Sequence, residues 1–169
     1  MLNNKALLEE RFHKLLAANG AALSRLAASY TNSRSDRDDL FQDIALPIWK
    51  ALPQFRGESS ERTFIFRVAH NRAITYISQR KPITASPDEI EVADPGPNPE
   101  KGFAREQQES RLFEAIHRLP LHYRQVITLA LENMTYTEIA DVIGISETKV
   151  GVRMNRARQM LREMLEVTK

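Results

Sequence analysis

The chain has 169 residues, of which 42% are hydrophobic, so it can bury one medium core or two small helical cores. It contains no cysteine, which excludes disulfides and thiolate metal sites and suits a reducing cytoplasm. No run of about 18 apolar residues occurs and no signal-peptide core is present at the start, so we expect neither export nor membrane insertion.

The net charge is only +2, but the charges are unevenly distributed. Residues 56–81 contain six Lys and Arg against two Glu, and residues 147–169 contain six against three. Residues 82–100 contain five acids, five of the eight prolines and no basic residue. Such a segment has too little apolar surface to offset the entropy of ordering.

This change of composition divides the chain into three parts. We predict an N-terminal domain over residues 1–81, a proline-rich acidic linker over 82–102 and a C-terminal domain over 103–169. Both domains are predicted to be helical, because apolar residues recur every three or four positions and no stretch alternates with a period of two. The predicted fold class is therefore all-α, with two small helical domains joined by a flexible linker.

Four helices are predicted in the N-terminal domain. Apolar stripes at residues 7–16 and 23–30 are separated at Asn19-Gly20, where the first helix is expected to end. A third helix is predicted from Ser35 or Asp36 to about residue 52, with acids at its positive end. A fourth spans about residues 63–79.

In the C-terminal domain, an apolar stripe at residues 112–119 precedes Pro120, which suits the first turn of the next helix. Thr135 and Glu138 then have the spacing of a capping box, and Gly144 supplies the left-handed conformation that ends a helix. Ser146 can cap the helix after it. Two short helices joined in this way are typical of a helix-turn-helix.

The second helix of this pair carries several cations and an amide. Lys149, Arg153, Asn155, Arg156 and Arg158 would lie near or along a DNA groove, some on phosphates and some on bases. The alternative is an ordinary helical hairpin with a solvated basic face.

Three stretches, DRDDLFQDIALPIWKAL, FRGESSERTFIFRVAHNRAITYI and YTEIADVIGISETKVGVRMNRARQML, together resemble the extracytoplasmic-function (ECF) sigma factors of bacterial RNA polymerase. The resemblance implies sigma region 2 before the linker and sigma region 4 after it. It also implies a transcription initiation factor that binds the clamp coiled coil and flap of core RNA polymerase. Such a factor recognises and melts the minus-ten promoter element with region 2 and recognises the minus-thirty-five element with region 4.

By this resemblance, one helix of the N-terminal domain docks on the polymerase clamp. Its implied contacts are Asp39, Leu40, Gln42, Asp43, Ile44 and Trp49. The acids suit a basic partner, and the apolar residues suit an interface, although Leu40, Ile44 and Trp49 are alternatively core residues. Pro47 departs from the family pattern and predicts a bend near residues 43–46.

The minus-ten element is implied to contact the loop and helix that follow. The candidate residues are Phe55, Arg56, Gly57, Glu58, Phe66, Arg67, His70, Asn71 and Arg72. Aromatic rings and cations suit unstacked bases. Phe64 stands where the family usually has tryptophan and is predicted to be a core residue, whereas Phe66 and His70 are predicted to contact DNA. Glu61 stands where an apolar or aromatic residue is common.

The minus-thirty-five element is implied to contact the second helix of the helix-turn-helix. The candidate residues are Lys149, Gly151, Val152, Arg153, Asn155, Arg156 and Arg158. Gly151 and Val152 replace a basic residue and a serine of the family pattern, so the promoter sequence does not carry over. Gly151 also lowers helix propensity and would allow close approach to DNA.

Other classes of protein explain less of the sequence. The four histidines have no metal-ligand spacing on a shared face and the six glycines form no phosphate loop, so we expect no enzyme, metal or cofactor. A free-standing helix-turn-helix repressor would explain residues 135–158 but not the N-terminal domain. The resemblance further implies an anti-sigma factor as a partner.

Overall fold

The computed structural model describes residues 2–80 and 104–167, so the predicted linker lies outside the described residues. Within those ranges the chain forms seven α-helices, one short 3₁₀ helix and no strand, which confirms the all-α class. The helices are α1 (Leu2–Ser29), α2 (Arg34–Ala51), α3 (Glu61–Arg80), α4 (Ala104–Arg118), α5 (Leu121–Leu131), α6 (Tyr136–Ile143) and α7 (Glu147–Val167), and the 3₁₀ helix is Leu52–Gln54. Helices α1–α3 belong to one compact unit, and α4, α5 and α7 to a second.

Helix α1 is continuous through Gly20, so the predicted break at Asn19-Gly20 is wrong. The Asn19 side-chain amide donates to the Leu15 carbonyl 3.1 Å away, within the same helix. Gly20 does not have a positive φ, unlike a glycine that ends a helix. Leu23 and Leu26, one and two turns further on, are fully buried, so burial of one continuous apolar face outweighs the local stop signal.

Helix α2 begins after Ser33, whose hydroxyl accepts a hydrogen bond from the Asp36 backbone N–H at 3.0 Å. The helix then continues through Pro47 without a break. Proline removes the hydrogen bond to the carbonyl four residues earlier and its ring crowds that carbonyl, but Ile44 and Ile48 on either side of it are buried and hold the helix in place.

In the N-terminal unit, α2 packs against both α1 and α3. The largest side chains with almost no exposed surface in this unit are Leu23, Leu26, Leu40, Ile44, Ile48, Leu52, Ile65 and Phe66. They come from all three helices and the 3₁₀ helix, so the unit has a core of its own.

In the C-terminal unit, α7 packs against α5 and α4. Pro120 is the residue before α5 and not its first turn, one position earlier than predicted. Helix α4 ends at Arg118, two residues earlier, and Pro120 could not continue it because proline lacks the N–H that a helix interior needs. The packing fixes which face of α7 is turned inward and leaves the opposite face of the helix outward.

Candidate nucleic-acid and polymerase-binding surfaces

Local hydrogen bonds fix both ends of α6, as predicted. The Thr135 hydroxyl accepts from the Glu138 N–H at 3.2 Å, and the Glu138 carboxylate accepts from the Thr135 N–H at 2.7 Å, which completes the capping box. At the other end, Gly144 has φ 81° and donates its N–H to the Ala140 carbonyl at 2.8 Å. A residue with a side chain would be strained at this φ, so the turn requires glycine.

The turn then leads directly into α7. The Ser146 hydroxyl accepts from the Lys149 N–H at 3.2 Å, which confirms the predicted cap. The Thr137 hydroxyl on α6 donates to the Glu147 carboxylate on α7 at 3.0 Å, so a hydrogen bond joins the two helices across the turn. The helix-turn-helix is therefore held by contacts between residues close together in sequence.

One face of α7 is buried and the opposite face is free. Val150, Met154, Ala157 and Leu161 form the buried stripe, at the spacing of a single helix face. The exposed residues in the first three turns that face away from or flank this stripe are Thr148, Lys149, Val152, Asn155, Arg156 and Arg158. Gly151 and Arg153 are half-buried beside them. The structure therefore groups the predicted minus-thirty-five residues on and beside one surface.

Sequence reasoning missed Thr148. It lies four residues before Val152 and shares the outward face. Its hydroxyl can donate to a phosphate, and it can donate to or accept from a base edge. The helical spacing from Val152 was the signal that could have found it.

Gly151 has room for a side chain. A Cβ placed there would meet only the Tyr136 Cε2 atom at 3.8 Å, an ordinary van der Waals distance, and the glycine does not have a positive φ. Neither packing nor backbone conformation within the chain therefore requires glycine at this position.

The predicted docking residues on α2 divide into surface and core. Asp39 and Gln42 are exposed. Asp43 is half-buried, and its carboxylate is 3.2 Å from the Arg72 guanidinium on α3. Leu40 and Ile44 are only 0% and 1% exposed, so their assignment as docking contacts is corrected: they are core residues of the unit.

Trp49 and Leu46 complete this surface. Trp49 is half-buried and packs edge-on against Phe12 of α1, with ring centroids 5.2 Å apart, so it joins two helices of its own unit. Leu46 is 55% exposed and lines an open groove of about 590 Å³ together with Gln42 and Asp43. Sequence reasoning missed Leu46, although its position three residues after Asp43 places it on the same polar face.

The loop between the 3₁₀ helix and α3 contains the first group of predicted minus-ten residues. Arg56, Gly57 and Glu58 are exposed, and Gly57 has φ 77°, which favours glycine. Phe55 is half-buried, with its ring centroid 4.9 Å from that of Phe64. The loop therefore presents its polar residues outward above an aromatic pair.

Arg11 of α1 contacts both Phe55 in this loop and Glu61 at the start of α3. Its Nε and Nη2 atoms donate to Glu61 Oε1 at 2.7 Å and 2.6 Å, and its guanidinium carbon is 5.6 Å from the Phe55 ring centroid. Glu61 is thus the partner of a cation that lies over the loop's aromatic residue. This pairing gives the Glu61 carboxylate a partner within its own unit.

Phe66 and His70 are not on the surface, which corrects their assignment to DNA contact. Phe66 is 0% exposed. His70 is 5% exposed, and its Nδ1 shares a hydrogen bond of 2.9 Å with the Tyr30 hydroxyl. Burial lowers the pKa of His70 to about 4, so the ring is neutral near pH 7.

The remaining minus-ten candidates lie nearer the surface. Asn71 is exposed, and Arg67 and Arg72 are half-buried, with Arg72 paired to Asp43. Phe64 is half-buried rather than a core residue, so the predicted roles of Phe64 and Phe66 are reversed. Of the phenylalanines at residues 55, 64 and 66, only Phe55 and Phe64 have accessible surface.

Across residues 2–80 and 104–167, no group of three acidic or histidine side chains is placed to hold a metal ion. None of the helices in the same ranges combines the length and the apolar character needed to cross a bilayer.

Comparison with known proteins agrees with these features. Residues 15–83 match the model of sigma-70 region 2, and residues 110–161 match that of sigma-70 region 4. The ECF RNA polymerase sigma-E factor of Haemophilus influenzae is 28% identical, over 98% of this chain and 96% of that protein. The sigma-E factor of Escherichia coli K12 is 29% identical, over 90% of this chain and 85% of that protein.

A solved structure of CnrH in complex with the cytosolic domain of CnrY superposes with a TM-score of 0.71 at 26% identity, over 95% of this chain and 91% of that one. The sigma factor RpoE of Bartonella quintana, solved with the anti-sigma factor NepR, has the same fold, with a TM-score of 0.71.

The chain belongs to the sigma-70 family, as an ECF sigma factor. It is a transcription initiation factor that directs RNA polymerase to promoters.

Proposed function

We propose that the two domains divide this work. Residues 1–81 act as region 2, which binds core polymerase and recognises and melts the minus-ten element, and residues 103–169 act as region 4, which reads the minus-thirty-five element. The outward face of α7 carries the proposal, because a capped helix-turn-helix exposes basic and amide side chains opposite a buried stripe. Residues 82–102 serve as the tether.

The surface of α2 docks on the polymerase clamp. Asp39, Gln42 and Asp43 supply polar contacts, and Leu46 supplies apolar surface in place of Leu40 and Ile44. Trp49 packs against Phe12 of α1 and so helps to fix the position of α2.

The loop at residues 55–58, with Asn71 and the nearby arginines, contacts the minus-ten element. Opening about ten base pairs costs on the order of 14 kcal/mol at about 1.4 kcal/mol per stacking step. Two or three stacks of a base on an aromatic ring return about 1 to 3 kcal/mol each. The polymerase therefore supplies the remaining free energy and the chemistry, and the chain itself is not an enzyme.

The chain acts in the cytoplasm, where core polymerase is found, and an anti-sigma factor holds it inactive. Support for the inhibitor comes from the solved relatives CnrH and RpoE, which are bound to CnrY and to the anti-sigma factor NepR. Both similarities extend over 95% of this chain.

The test is to mix the full chain with core RNA polymerase and a library of promoter fragments. We expect initiation at a defined set of sites that core polymerase alone does not use. A chain that binds duplex DNA tightly by itself and adds no initiation would be a free-standing repressor instead.

A charge reversal tests the docking surface separately. Asp39→Lys should lower affinity for core polymerase, because Asp39 is exposed and its change leaves the core intact. Glu9→Lys is the matched control, since Glu9 is exposed on α1 and its ion pair with Lys5 is a long one of 3.9 Å. Equal affinity of the two variants for core polymerase would remove Asp39 from the docking surface.

A further inference from the structure

A valine stands in the middle of the outward face of α7. Val152 is 64% exposed. Lys149 and Asn155, three residues before and after it, are exposed as well, as is Arg156. Among the large apolar side chains of the described residues, only Val167 near the end of α7 is more exposed. Val152 therefore has little packing role within its own chain.

Helix stability does not explain this valine. A β-branched residue loses side-chain freedom in a helix, and the preceding Gly151 is a poor helix former as well. Two unfavourable residues thus stand together in the second turn of α7, beside the exposed cations. Alanine, lysine or glutamate would make a more stable and more soluble helix at the same place.

The chemistry of a DNA groove restricts what such a side chain can recognise. The edges of the bases in the major groove present hydrogen-bond donors, acceptors and one apolar group, the C5-methyl of thymine. Valine cannot form a hydrogen bond, so only the methyl group rewards its contact. Val152 is also within the first two turns of α7, the part of a recognition helix that reaches base edges.

We propose that Val152 is a specificity-determining residue that packs against the C5-methyl of a thymine in the minus-thirty-five element. Lys149 and Arg156 flank it and hold the backbone, while Asn155 contacts a polar edge nearby. This inference rests on the proposed function, in which α7 reads duplex DNA.

The experiment uses holoenzyme assembled from the full chain and core polymerase. Duplexes are first selected for binding from a library randomised across the minus-thirty-five region. In the duplex that binds best, each thymine is then replaced singly by deoxyuridine, which removes only the methyl group. We expect the replacement at one position to weaken binding about fourfold, which is the effect of losing one buried methyl group.

Three variants assign that effect to Val152. Val152→Ala, whose side chain loses both γ-methyl groups and ends closer to the helix, should lose most of the preference for thymine over uracil, whereas Val152→Thr, which keeps one γ-methyl group, should still prefer thymine. Val167→Ala is the matched control at another exposed valine of α7 and should keep the full preference. Unfolding is not a concern, because both valines are mostly exposed.

The outcomes are distinct. The inference is overturned if the selected duplex contains no thymine whose methyl affects binding, or if Val152→Ala keeps the same preference as the unsubstituted chain. If selection yields no preferred sequence across the minus-thirty-five region, the proposed role of α7 itself fails.

Discussion

In the C-terminal unit, every residue predicted to contact DNA lies on or beside the outward face of α7. In the N-terminal unit, two predicted polymerase contacts, Leu40 and Ile44, and two predicted DNA contacts, Phe66 and His70, lie in the core instead. The difference arises from packing. Helix α7 buries one stripe of residues, and the rest of its first turns remain free. A motif therefore gives reliable surface residues only where the helix has a single packed face.

Helix α3 has a wider buried face. Its buried positions include the adjacent pairs Ile65-Phe66 and Ala69-His70, whereas no two adjacent positions of α7 are buried. Periodicity shows which residues share a face, but it does not show how wide a part of the helix surface the neighbouring helices cover. Substitutions in the two units can test this contrast.

The largest expected effect is on stability, at Phe66. Phe66→Ala removes a fully buried ring and should lower the free energy of unfolding by about 3 to 5 kcal/mol. Phe64→Ala should cost much less, because Phe64 is half-buried. Denaturant unfolding of the full chain measures both, and equal losses would show that the two rings are equally buried.

His70 gives a pH-dependent counterpart. Its pKa is lowered from 6.5 to about 4 by burial, so the folded state binds this proton less readily than the unfolded state. The free energy of unfolding is therefore unaffected by this group above pH 6.5. It falls by about 3 kcal/mol as the pH falls from 6.5 to 4, for a pKa shift of this size.

His70→Gln should therefore flatten the dependence of unfolding free energy on pH between 4 and 6.5. Because carboxylates titrate over part of the same range, the measurement is the difference between variant and unsubstituted chain at each pH. A constant difference would mean that His70 is not the buried neutral base that its environment predicts.

Arg156 and Arg153 test the surface of α7. Arg156→Ala should weaken duplex binding and reduce the slope of log affinity against log salt by about one unit, as expected for a lost phosphate contact. Arg153→Ala should have the same effect if its half-buried side chain reaches a phosphate. Binding titrations at several salt concentrations measure the slopes, and an unchanged slope removes that arginine from the phosphate contacts.

The smallest expected effect, and the sharpest contrast, is at Gly151. Gly151→Ala should raise the free energy of unfolding by up to about 1 kcal/mol, since a Cβ fits there without a clash. The same variant should weaken duplex binding if the glycine admits the DNA backbone.

Gly20→Ala is the matched control, because Gly20 is also within a helix and a Cβ placed there would have nothing within 4 Å. It should stabilise the chain similarly and leave DNA binding unchanged. If Gly151→Ala behaves in the same way, glycine at this position has no role in DNA approach.

Much of the fold could be predicted from sequence because its signals are local. The caps at Thr135, Gly144 and Ser146 were each predicted and each is formed. The predicted break at Gly20 is wrong, because whether the helix continues there depends on the burial of residues further along α1.

The candidate surfaces were less predictable in the N-terminal unit for the same reason. The Arg11–Glu61 pair joins residues 50 positions apart, and the Asp43–Arg72 pair joins residues 29 apart. Neither pairing has a local signature, so only the assembled helices reveal which charges are already neutralised and which remain for partners.

The capping box, the left-handed Gly144 and the Thr137–Glu147 hydrogen bond together hold the start of α7 in place through contacts within the chain. A binding element that is already rigid loses little conformational entropy on association, so more of its contact energy is available as affinity. This preorganisation supports the proposed role of α7 in reading duplex DNA.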